Sequence, residues 1–131
     1  MAYDFVIGPM ADLSKNVDYD LMYRDFYVLV VPKRYDLETY AEYGEQGSFP
    51  VIDMKKLPPM DYIFQDETTF VRKGINRILE KQKLSIAPRL VVTSSTLALQ
   101  AAENGFGCCI VSTGHLAYLN QSANLKVYLI K

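Results

Sequence analysis

Apolar and polar positions fall in short alternating blocks along this chain. Residues 3–7 (YDFVI) form a brief apolar run ended by Gly8-Pro9, and a polar connection follows over 10–20. Residues 21–32 (LMYRDFYVLVVP) are rich in Val and Tyr, with Asp25 as an interruption. They predict a long strand, buried over its second half and ended by Pro32. Gly44, Gly47 and Pro50 stand among acidic and aromatic residues, which predicts a loop with a short helical turn near 37–43.

From residue 51 the pattern becomes regular: a turn over 53–57, Pro58-Pro59, a strand at 62–64 and a helix opening near Thr68. Val71, Ile75, Ile78, Leu79 and Gln82 follow one another at helical spacing, so this face is buried. Arg72, Lys73, Arg77 and Lys81 then form a solvated stripe, and residues 86–88 close the helix. Residues 89–93 read as a strand, and Ser94-Ser95 as the cap of a helix over 96–104 that Gly105 ends. A strand at 106–111, a short helix at 113–119 and a last strand at 125–130 complete a β-α-β-α-β-α-β order.

Helical connections between strands are what parallel pairing requires, so the expected fold class is α/β, with three layers: a mainly parallel sheet carrying helices on both faces. In such sheets ligands sit beyond the carboxyl ends of the strands, where helix amino termini present free N–H groups. Here those ends are Gly8-Pro9, residues 64–69, residues 93–96 and residues 112–114.

With 131 residues, a single domain covering 1–131 is expected. Half of the residues are apolar and the formal net charge is -1, so the basic surplus of an autonomous nucleic-acid binder is absent. The first ten residues lack the basic start and continuous apolar stretch of a signal peptide. The longest apolar run, 26–31, is far too short for a membrane span, so neither export nor membrane insertion is expected. Cys108 and Cys109 are the only cysteines. Adjacent cysteines bridge only with strain, which favours a reducing, cytoplasmic setting and a packing role inside an apolar strand.

Candidate chemistry is sparse. His115 is the sole histidine, and three Cys and His residues are too few for a structural zinc site, so no metal, cofactor or catalytic residue is expected. The Gly105-Phe106-Gly107 run precedes a strand instead of opening a helix, so a dinucleotide fingerprint fails. Asp66-Glu67 could serve as an acid-base pair, although acidic residues before a helix more often cap it. What remains is two polar strand-to-helix corners: Gln65, Asp66, Glu67, Thr68 and Thr69 in one, Thr93, Ser94, Ser95 and Thr96 in the other. Hydroxyls and free N–H groups there suit the binding of a small anion or polar metabolite.

The order DFVIG, FYVLVVP, a Leu57-Pro58-Pro59 turn into YIF, and then RLVVTSSTLALQAAENGFGCCIVS resembles the effector-binding domain of LysR-type transcriptional regulators, over nearly the whole chain and mainly its second subdomain. The resemblance implies a periplasmic-binding-protein-like (type II) subdomain with hinge strands, the DNA-binding winged helix-turn-helix being absent from this chain. It also implies a cytoplasmic ligand sensor that is no enzyme and takes no cofactor. Its effector would be anionic or polar, its contact with nucleic acid indirect, and its full-length parent a homo-oligomer. The effector-binding residues so implied are Gln65, Asp66, Thr68, Thr69, Thr93 and Ser94, with Gly8 and Pro9 at the hinge. The chain departs from the family where Lys33-Arg34 replaces a usual His-Pro and where Ser112 replaces a usual Pro. A small α/β metabolite enzyme with Asp66 or Glu67 as base, and a fragment of an extracytoplasmic solute-binding protein, are the alternatives. Two structural expectations follow: strands 62–64, 89–93 and 106–111 share one sheet, and the first half of a strand over 19–30 lies beside 125–130.

Overall fold

The computed structural model describes residues 27–44, 49–115 and 124–131. The expected strand at 3–7, the Gly8-Pro9 hinge, the first half of the 19–30 strand and the helical stretch past residue 115 lie outside the described residues. Among the described residues six strands form one sheet: β1 (Tyr27–Pro32), β2 (Val51–Ile52), β3 (Tyr62–Gln65), β4 (Leu90–Val92), β5 (Cys108–Ser112) and β6 (Leu125–Ile130), in the spatial order β2-β6-β1-β5-β3-β4. The described α-helices are α1 (Phe70–Lys81), between β3 and β4, and α2 (Ser95–Glu103), between β4 and β5. The pairs β3/β4, β3/β5 and β2/β6 are parallel, whereas β1 is antiparallel to both β5 and β6. It follows that, among the described strands, β1 runs against the other five. The 62–64, 89–93 and 106–111 segments do share one parallel group. Among the described residues, those that pair with β6 run from Val28 to Pro32.

From β3 the chain crosses through α1 to β4 on one side, then returns through α2 to β5 on the other. Crossovers between parallel strands are right-handed as a rule, so the reversal of direction calls for the two helices on opposite faces. The side chains agree. Leu29, Val31, Tyr62, Phe64, Cys108, Ile110 and Tyr128 pack with Ile75 and Leu79 of α1. Val28, Val30, Ile63, Cys109 and Val111 pack with Ala98, Leu99 and Ala102 of α2. Residues 28–31 are therefore a continuous apolar run because both sides of β1 are covered. Each fully buried Val or Leu stabilises the fold by about 1.5–3 kcal/mol.

Several boundaries differ from the sequence reading for local reasons. Helix α1 opens at Phe70, because Thr69 Oγ1 accepts the Arg72 N–H (3.1 Å) and serves as N-cap. It stops at Lys81, well before residues 86–88. Lys83 takes a left-handed φ of 57°, its N–H donates to Glu80 O and the Leu84 N–H donates to Leu79 O. That pair of bonds is a Schellman closure. Helix α2 ends the same way, with Gly105 at φ 85° and the Gly105 and Phe106 N–H groups donating to Ala102 O and Ala101 O. Gly105 is thus the helix stop that the sequence predicts. The turns near 37–43 and 53–57 are short 3-10 segments, Glu38–Tyr40 and Met54–Lys56.

Candidate functional site

The winding reverses between β3 and β5, and the carboxyl ends of strands at such a point are the usual ligand position in sheets of this kind. The β3/β5 ladder pairs Tyr62 with Cys108 and Ile63 with Cys109. Beyond it the Gln65 side chain stands between the strands: Nε2 donates to Ile110 O (2.9 Å) and to Ser95 Oγ (3.1 Å). Gln65 is fully buried. Because Nε2 faces a carbonyl oxygen, the opposite amide orientation would set two acceptors against each other. Oε1 is therefore the atom left over, and it is buried with no hydrogen-bond partner. A buried acceptor without a donor costs about 1–3 kcal/mol, unlike the large majority of buried polar atoms.

Ser95 begins α2. Ser94, the N-cap, uses its hydroxyl to accept the Leu97 N–H (3.2 Å). The N–H groups of Ser95 and Thr96 have no intrahelical acceptor at this position and face the positive end of the helix dipole. The exposed Thr93 hydroxyl leads into this turn. The second corner therefore keeps backbone donors, its Ser94 hydroxyl being spent on the cap.

The first corner differs. Asp66 Oδ1 accepts from both the Thr68 N–H (2.9 Å) and the Thr68 hydroxyl (3.0 Å), and Asp66 O accepts from the Thr69 N–H (3.1 Å) and hydroxyl (2.9 Å). Free donors expected at Thr68 and Thr69 are thus consumed by an Asx turn. The two Thr68 bonds, the larger effect, hold the Asp66 carboxyl below its usual range, with the Arg72 charge adding to them. A carboxylate kept ionised and engaged in this way is a poor general base.

Arg72 is the largest correction. Instead of joining Lys73, Arg77 and Lys81 on a solvated stripe it is buried, its guanidinium over the Phe64 ring (5.0 Å to the centroid). Nη1 donates to Gln65 O (2.8 Å), Nε to Asn76 Oδ1 (3.0 Å) and Nη2 to Glu67 Oε2 (3.3 Å). A signal was present, since Arg72, Ile75 and Leu79 lie at i, i+3 and i+7 and so share one helix face. At the end of β5, Ser112 Oγ lies 3.4 Å from His115 Nδ1. The Gly8-Pro9 pair lies outside the described residues.

Cys108 and Cys109 are buried on opposite faces of β5, and burial pushes the Cys108 thiol up to about 12. Among the described residues no three His, Cys, Asp or Glu side chains come together as metal ligands, and no helix is long and apolar enough to cross a membrane.

No family model and no curated protein matches the chain. Solved structures do. The regulatory domain of CcmR from Synechocystis PCC6803, in complex with 2-PG, superposes with a TM-score of 0.63 at 17% identity, over 81% of this chain and 47% of that one. The effector-binding domain of QuiR in complex with shikimate gives 0.62 at 21% identity, over 82% and 46%. CbnR, a LysR family transcriptional regulator, gives 0.58 at 14% identity, over 81% and 34%. The chain spans less than half the length of each. Its fold is that of part of the effector-binding domain found in LysR-type regulators.

Proposed function

We propose that this chain is the second subdomain of the effector-binding domain of a LysR-type transcriptional regulator. A small polar or anionic effector binds at the carboxyl ends of β3 and β5, against Gln65, Thr93, Ser94 and the first turn of α2. The observation that carries this reading is the buried, partnerless Gln65 Oε1, set beside an open helix start at the point where the winding reverses. A ligand hydroxyl or amine would donate to it. The ligands in the CcmR and QuiR structures, and the fold shared with them, support the same reading.

Binding carries no chemistry here. Asp66 is tied down by Thr68 and Glu67 is paired with Arg72, so neither carboxylate of this corner stands as the unengaged base an enzyme reading needs. Signalling is a change of angle between this subdomain and a first one, with Gly8-Pro9 at the hinge. The effector shifts that equilibrium only by its differential affinity for the two angles. DNA is held by a separate winged helix-turn-helix of a cytoplasmic, homo-oligomeric parent.

The test is a titration of the 15N-labelled chain with shikimate, followed by NMR. Because another subdomain supplies the rest of the cleft, affinity should be about 1 mM or weaker, equivalent to about 4 kcal/mol. Shifts should concentrate at the Ser95 and Thr96 amides and the Gln65 side chain, and Ser95→Phe should remove them. Shifts confined to Lys73, Arg77 and Lys81, or turnover of the ligand, would overturn the reading.

A further inference from the structure

We infer that Arg72 is the receptor for an oxyanion, a carboxylate or phosphate carried by the ligand, and that Glu67 is its resident counter-ion, displaced when that oxyanion arrives. The inference rests on the effector-binding reading of this end of the sheet and names the group that the ligand must carry.

Arg72 presents an imbalance between charge and burial. Its side chain is 10% exposed, so the charge has lost most of its water, and a buried charge needs a partner of opposite sign. Two of its three side-chain hydrogen bonds go to neutral acceptors, Gln65 O and Asn76 Oδ1. Together with the Phe64 ring these orient the guanidinium without neutralising it. The ion pair is made with Glu67, whose side chain is 72% exposed. Its 3.3 Å contact is longer than the roughly 2.7–2.9 Å of a strong charge-assisted bond.

The two ends of this ion pair are therefore unlike. The cation is held in place by a strand carbonyl, an amide and an aromatic face, whereas the anion is the tip of a long, solvated side chain on a turn. An exposed carboxylate in such a pair contributes little and exchanges readily with another anion. Asp66 lies close enough for its charge to interact with Arg72, but its Oδ1 is committed to Thr68, so it does not take the place of Glu67. A guanidinium has more N–H groups than these three bonds use, and its planar fork fits the two oxygens of a carboxylate or phosphate.

Gln65 ties this cation to the start of α2. Its backbone carbonyl accepts from Arg72 while its side chain reaches Ser95. One residue thus links the oxyanion receptor on the α1 side with the partnerless oxygen and helix start on the α2 side. A ligand pairing an oxyanion with a hydroxyl would engage both.

Glu67→Gln is the decisive variant, since Glu67 is exposed and its replacement keeps shape and removes charge. The probes are glycolate, inorganic phosphate and the neutral glycolamide, titrated by NMR at fixed ionic strength with the Arg72 Nε–H and Gln65 side-chain signals as readouts. Glu67→Gln should tighten glycolate or phosphate binding about 3- to 10-fold and leave glycolamide within twofold, because competition between two anions for one cation is removed. Whichever oxyanion gains more identifies the ligand group. Arg72→Met should lose the anion preference, and a thermal melt of that variant reports whether it folds. If it does not, the Glu67→Gln comparison decides alone. Unchanged glycolate and phosphate affinities in Glu67→Gln, equal tightening of glycolamide, or no binding of either anion to both proteins at roughly 50 mM would overturn the inference. Loss of shikimate binding in Ser95→Phe with no effect of Glu67→Gln on the anions sinks the counter-ion and spares the cleft. Tightening in Glu67→Gln with Ser95→Phe still binding shikimate does the reverse.

Discussion

Gly105 and Gly107 stand two residues apart and are glycines for different reasons. Gly105 has φ 85° with open space where a Cβ would sit, so its requirement is conformational. At Gly107 a Cβ would lie 2.7 Å from the backbone oxygen of Asp61, which itself accepts the Cys108 N–H at 2.8 Å. Backbone pinned in a ladder cannot give way as the tip of a side chain can. Gly105→Ala should therefore cost about 1 kcal/mol, the ordinary penalty of a left-handed residue. Gly107→Ala should cost about 2–3 kcal/mol, within the range for overpacking. Urea unfolding of the two variants tests the ranking, and a Gly107→Ala protein as stable as wild type would show that the Asp61 backbone can yield to a Cβ at this position. The same contrast explains what was legible at this scale. Gly105 could be read from its place after a helical run, whereas the demand at Gly107 comes from Asp61, distant in sequence. Gln65 and Arg72 are similar cases. Their residue types suggested a polar corner for Gln65 and a solvated stripe for Arg72, but that one would be buried with a partnerless oxygen and the other folded inward depended on β5 and Phe64 arriving beside them.

At the scale of elements, the strands and helices between 62 and 112 followed from the alternation of apolar runs and capping residues, because each crossover carries its own signals: Thr69 and Ser94 at the starts, Gly105 at one stop. The α1 stop was not legible, because a lysine occupies the left-handed position that glycine usually takes. The two-residue strand β2 was missed for another reason. Its place in the sheet comes from pairing Val51 and Ile52 with Leu129 and Ile130, and so short a segment has no periodicity of its own. The direction of β1 is likewise a fact about its partners. Lys83 yields a direct prediction. Replacing it with glycine removes the strain at φ 57° and costs some additional disorder in the unfolded chain, about 0.4–1 kcal/mol, against a gain of about 1–2 kcal/mol. Lys83→Gly should stabilise the protein by about 0.5–1 kcal/mol, read from the midpoint and unchanged slope of a urea transition. A loss of stability would mean that the Lys83 side chain contributes more than its backbone costs.

For the molecule as a whole, β5 is the strand on which both layers depend: Cys108 faces the α1 layer and Cys109 the α2 layer. Adjacent thiols on opposite faces can report whether the two layers open separately or together. Burial raises Cys108 from 9.0 to about 12, and Cys109 also moves up, its burial again the leading cause. At pH 8 roughly one Cys108 thiol in 10,000 is then ionised in the folded state, against about one in ten when unfolded, and only the thiolate attacks an alkylating reagent. Iodoacetamide should leave the native protein almost unlabelled at pH 8. Labelling that does occur should follow the unfolded population, with both cysteines modified in the same molecules, because opening either layer strips the same central strand. The pH dependence has a definite sign. Between 9 and 12 the unfolded state loses the Cys108 proton while the folded state keeps it, so folding stability is intact below pH 9 and falls as pH rises, by up to about 1.4 kcal/mol per pH unit from this thiol. Mass spectrometry of partly labelled protein distinguishes the cases. Mainly unlabelled and doubly labelled species mean one cooperative unit spanning both faces of the sheet, whereas a large singly labelled population at Cys108 would mean that the α1 layer opens alone, carrying Arg72 and the first corner with it.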